Sequence, residues 1–86
     1  MQKFYIYILL CADNTFYVGQ TDNLEKRIQE HNTSFYNGYT STKLPVKLVF
    51  HQVFPSRSLA LEFEKKIKKW STVKKQALID GKFSLI

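Results

Sequence analysis

The sequence predicts an α/β fold with its elements in the order ββαβαα. Two β-rich segments separated by a turn open the chain, a third β-like run lies past its middle, and stretches with helical spacing of apolar residues fill most of the rest. At 86 residues there is room for one domain, taken to span residues 1–86. Its core is modest, because a chain this short buries a smaller share of its surface than one of ~150 residues.

Phe4 to Leu10 is rich in β-branched and aromatic residues, ADN supplies turn chemistry, and Thr15 to Gln20 resumes the same composition, which reads as a β-hairpin. With the turn centred on Asp13, residues of equal parity share a face. Tyr5, Tyr7, Leu9, Tyr17 and Gly19 then lie on one side, and Phe4, Ile6, Ile8, Phe16 and Val18 form an ordinary core face on the other. In TDNLEKRIQEHN, Thr21, Asp22 or Asn23 can cap a helix that runs to about His31, with Asn32 ending it. At about 100° per residue, Leu24, Arg27, Ile28 and His31 share one side of that helix. A guanidinium and an imidazole thus stand among the apolar anchors, which is unusual unless something nearby needs them.

TSFYNGYTSTKLP is polar and longer than ordinary connections, and long loops often carry function. VKLVFHQVF alternates as a third strand, with His51 an ordinary strand residue. A helix starting from Ser56 or Ser58 lays Leu59, Ala60, Phe63, Ile67 and Trp70 in one stripe. Glu64 falls at the edge of that stripe, and Glu62 projects away from it. Ser71 or Thr72 caps a last short helix in VKKQALIDG, and Gly81 stops it.

The formal net charge is +6, and it is uneven. Residues 57–82 carry Arg57, Lys65, Lys66, Lys68, Lys69, Lys74, Lys75 and Lys82 against Glu62, Glu64 and Asp80, eight against three. Such a surface attracts phosphates, although a solvated lysine-rich face would have the same composition. The single cysteine, Cys11, excludes an internal disulfide and a cysteine-built zinc site, which suits a reducing, cytoplasmic setting. The apolar run near the N-terminus is too short to span a membrane.

Four segments therefore offer Tyr7, Tyr17, Arg27, His31 and Glu64 on inward-facing sides. With YIY at residues 5–7, YVG at 17–19, LEKRIQEH and ALEFEKKIK in that order, the chain resembles the GIY-YIG nucleases, in particular the small single-domain bacterial members. The resemblance implies a three-stranded antiparallel sheet flanked by helices. It also implies cleavage of phosphodiester bonds in DNA, structure-selective or weakly sequence-selective, in repair or recombination, with RNA as an alternative substrate. By motif position, Tyr7 and Tyr17 are the family tyrosines, Arg27 the family arginine, and Glu64 the carboxylate for one Mg²⁺ or Mn²⁺. His31 matches a His or Tyr position of varying role. Tyr5 replaces the family glycine and is expected to pack.

These residue types suit the chemistry on independent grounds. Phosphodiester hydrolysis needs an activated water, stabilisation of charge on phosphorus, and help for the departing oxygen. A carboxylate suits a hard cation, an arginine forks onto phosphate oxygens, and a tyrosine can orient water, or act as base where a nearby cation lowers its pKa from about 10. Gly19, Tyr39, Lys68 and Lys69 are the expected nucleic-acid contacts, with Thr40 beside Tyr39 in the long loop. The competing expectation is a monomeric nucleic-acid-binding module without turnover, and an unidentified protein partner is compatible with either. A structural ion pair of Arg27 with Glu64, core tyrosines and a dipole-favoured His31 are the bland alternatives for the site residues.

Overall fold

The computed structural model describes residues 3–32 and 43–85. In chain order they form β1 (Phe4–Leu10), β2 (Phe16–Thr21), α1 (Leu24–Asn32), β3 (Lys47–Phe54), α2 (Arg57–Lys68) and α3 (Thr72–Ile79). The three strands make one antiparallel sheet in the order β2-β1-β3, as expected for the fold class.

The β1–β2 register pairs Tyr7 with Gly19, Ile8 with Val18 and Leu9 with Tyr17, which centres the hairpin on Asp13. The Asp13 carboxylate accepts from the Thr15 backbone and hydroxyl, and Lys43 ion-pairs with it at 2.6 Å. Those bonds, that of Lys43 foremost, hold its pKa down at about 2. Each sheet face buries its own cluster. Phe4, Ile6, Ile8 and Val18 meet Phe54, Ala60, Ile67 and Leu78, so α2 and α3 cover that face. Tyr7, Leu9, Cys11 and Val46 gather on the other, against Tyr17, Leu24, Ile28, Leu44 and Leu48, so α1 covers part of it.

β3 departs from strict alternation. The register against β1 slips between Ile8 and Leu9, so Ile8 faces Phe50 while Leu9 faces Leu48. The extra residue, Val49, marks a β-bulge, which changes which face the following side chains occupy. Val49 and Phe50 consequently join one cluster while Leu48 joins the other. The run of three apolar residues that looked like imperfect alternation thus serves two cores.

The helix caps follow from local chemistry. Asn23 accepts from the Lys26 amide at the start of α1, Ser56 from Leu59 at the start of α2, and Ser71 from Lys74 at the start of α3. Gly81, at φ +76°, closes α3, with its own amide bonded to the Leu78 carbonyl and the Lys82 amide to that of Ala77. Trp70, the last residue of the predicted stripe, lies beyond the end of α2 at Lys68 and its Lys69 cap, and still packs on the core. Asn32 does more than end α1. Its side-chain amide accepts from the Val46 backbone at 2.9 Å and donates back to it at 3.3 Å, clipping the segment before β3 onto the helix end.

Candidate functional site

The site grows from the hairpin register. Gly19 sits directly across from Tyr7, and the Tyr7 ring lies over it where a larger residue would have a side chain. Tyr7 and His31 have no exposed surface, and the Tyr7 hydroxyl meets His31 Nε2 at 3.2 Å. Tyr17, half-buried, completes the cluster: its ring centroid is 6.3 Å from that of Tyr7 and 5.2 Å from that of His31. The spacing of α1 thus carries His31 over the tyrosine face, as its phase predicted.

Burial lowers the His31 pKa, because a desolvated imidazolium is disfavoured. The Arg27 charge, one turn earlier, lowers it further, and Glu30 opposes both. A neutral imidazole can accept the tyrosine proton at Nε2, so the pair is equipped to hold or move one proton. Its folded pKa being depressed, the stability from burying neutral His31 is fully present above the unfolded value of about 6.5 and is lost as pH falls through the folded one. The melting temperature is therefore expected to drop on acidification below about pH 6.5, and His31→Gln to flatten that dependence. Thermal melts of the two proteins across pH provide the comparison. Equal slopes for the two would contradict a buried neutral His31.

Arg27 is a third exposed and pairs with Glu30 at 3.3 Å, so its partner on α1 is Glu30, while Glu64 pairs with Lys68. The bland pairing of Arg27 with Glu64 gives way to two separate local pairs. Arg27 also lines a polar recess of about 220 Å³ with Thr21, Asp22, Asn23, Lys26 and Glu30. Glu64 is only 12% exposed, whereas Glu62 is exposed. Its Oε2 lies 3.3 Å from Lys68 Nζ, an i,i+4 pair on α2.

The structure thus gathers Tyr7, Tyr17, Gly19 and His31, sets Arg27 beside them on α1, and places Glu64 with Lys68 on the helix across the sheet. Lys68 links the two groups, since it lines a cleft that also contains Tyr17. Gly19 is buried under Tyr7, which gives it a packing role. Lys69 is exposed at the end of α2. Tyr39 and Thr40 lie outside the described residues. Tyr5 packs edge-on to His51 with ring centroids 6.4 Å apart. Lys75, unselected in the sequence because it is one of many lysines, also lines the Tyr17 cleft.

Among the described residues, no three His, Cys, Asp or Glu side chains gather as a metal cage, and no helix is long and apolar enough to cross a membrane.

Comparison with known proteins places the same motifs in one family. The GIY-YIG catalytic domain matches residues 3–77. A UPF0213 protein of Syntrophus aciditrophicus is 49% identical over 80 residues, covering 92% of each chain. A second, from Staphylococcus haemolyticus, is 42% identical and covers 93% of this chain and 98% of its own. Two solution NMR structures are also similar. A UPF0213 protein of Bacillus halodurans superposes with a TM-score of 0.60 at 35% identity, covering 91% of this chain and 83% of that one. A protein from E. faecalis gives 0.60 at 36% identity, with 91% and 88% coverage.

Proposed function

Because this chain belongs to the GIY-YIG family, a nuclease family, we propose that it is a divalent-metal-dependent endonuclease hydrolysing phosphodiester bonds in DNA. The observation that carries this reading is the cluster of Tyr7, Tyr17 and His31, with Arg27 beside it on α1. Structural aromatics alone do not require a buried imidazole bonded to a buried phenol.

In this reading Tyr17, the half-exposed ring, meets and orients the attacking water, and the buried Tyr7–His31 hydrogen bond behind it fixes the ring cluster. Arg27 forks onto a phosphate oxygen and stabilises the charge that builds on phosphorus. Glu64 is the carboxylate for Mg²⁺ or Mn²⁺. Glu64 would hold such a hard cation through its carboxylate, with oxygens of the substrate phosphate as further donors. When bound, the ion supplies Lewis-acid polarisation of the scissile phosphate. Lys68 must then release Glu64, and a substrate phosphate gives its ammonium a new partner.

A binding module without turnover is the second reading, favoured by the Glu64–Lys68 pair that occupies the carboxylate. Incubation with supercoiled plasmid, branched DNA and RNA, in Mg²⁺, Mn²⁺ or EDTA, separates the two. Nicking or cleavage is expected with metal and none with EDTA. Equal products in EDTA would overturn the metal-dependent reading, and salt-sensitive binding without cutting of any substrate would favour the module.

A further inference from the structure

β2 is an edge strand, and beside it runs a cleft of about 410 Å³ lined by Phe16, Tyr17 and Val18 of the strand, Lys68 of α2 and Lys75 of α3. Two lysines from different helices therefore share one cleft with a tyrosine of the candidate site. Glu64 neutralises one of them, Lys68. Lys75 is half-buried and, among the described residues, forms no ion pair. A lysine with its stem packed and its charge unmatched in a cleft is a ready anion ligand.

The size of the cleft limits the occupant. A volume of about 410 Å³ falls among pockets that hold small ligands. Phe16 adds an aromatic surface of the kind on which unpaired bases stack. We infer that this cleft binds one or two nucleotides of a single strand next to the phosphate being cut, with Lys75 and Lys68 on backbone phosphates and Phe16 against a base. The inference rests on the nuclease reading for the position of the cut, and on the cleft alone for strand binding. It makes the preferred substrate a nucleic acid whose strand is unpaired beside the cleavage point, and it replaces Lys69 with Lys75 as the second anchoring lysine.

Fluorescence anisotropy with a labelled oligothymidine of about 12 nucleotides, and with a blunt duplex, across a salt series tests this. Lys75→Gln is expected to weaken single-strand binding about fivefold and to reduce the salt slope by about 0.7, with little change in melting temperature. Lys75→Arg should retain the affinity, and Lys69→Gln should behave as the unaltered protein. The duplex should lose less affinity than the single strand on Lys75→Gln. Equal effects of Lys75→Gln and Lys69→Gln, or none from either, would overturn the cleft assignment. If the unaltered protein binds the strand through Lys75 yet cuts nothing, the cleft stands and the nuclease reading falls. If it cuts DNA and Lys75→Gln binds normally, the reverse holds.

Discussion

Glu64→Gln is expected to reduce metal-dependent cleavage by at least about 100-fold, while Glu62→Gln leaves it unchanged. The two glutamates lie on one turn of α2 and differ in where they point. Glu64 is 12% exposed beside the Ala60 and Ile67 stripe, and Glu62 is in solvent. The amide is nearly the same size as the carboxylate, so packing is kept and the negative charge that a hard cation needs is removed. The fold should tolerate the change. Its ion pair with the half-exposed Lys68 is worth no more than about 1 kcal/mol, and Glu62→Gln should stay within about 0.5 kcal/mol. Single-turnover cleavage at saturating Mg²⁺, with melts of both variants, provides the measurement. Sensitivity of Glu62 in place of Glu64 would mean that the site was built on the wrong face of α2.

The hairpin and the phase of α2 were legible because each depends on local periodicity. Once the turn centres on Asp13, parity alone assigns the strand side chains of Phe4–Leu10 and Phe16–Thr21 to a face, and the observed register agrees. His31 was legible as an oddity, a polar ring in line with Leu24 and Ile28, but its hydrogen bond to Tyr7 spans 24 positions and no local pattern encodes it. The Asn32 clamp on Val46 escaped for the same reason, since an asparagine at a helix end has an adequate local explanation. The bulge at Val49 was hidden because three consecutive apolar residues fit either a ragged strand or a switch of faces. The Glu64–Lys68 pair was within reach, as glutamate four residues before lysine on a helix is a standard neighbour pair. Lys75 was not, because ranking equivalent lysines requires knowing which one the tertiary fold turns toward β2.

Gly19→Ala is expected to cost about 1–3 kcal/mol, the usual range for forcing an extra carbon into a filled core. At 86 residues this corresponds to a fall in melting temperature of ~4–20 °C. The reason is steric. A Cβ at Gly19 would stand 2.5 Å from the Tyr7 hydroxyl oxygen, 2.6 Å from Cζ, and 3.1 Å from Tyr17 Cε2. Tyr7 has no exposed surface and its hydroxyl is bonded to His31, so its ring has nowhere to retreat without breaking that bond. Adding Tyr7→Phe to Gly19→Ala removes the closer of the two contacts and leaves the Cζ clash, so the rescue should be partial and the two changes non-additive. Gly81→Ala provides the contrast. Nothing lies within 4 Å of its Cβ position, and its cost of about 1 kcal/mol comes only from the left-handed backbone at φ +76°. Cleavage should also fall in folded Gly19→Ala protein, because a Tyr7 ring pushed off β2 loses its hydrogen bond to His31. Melting of Gly19→Ala within a degree or two of the unaltered protein would mean that the Tyr7 ring does not lie over Gly19, and the geometry of the tyrosine–histidine cluster would have to be redrawn.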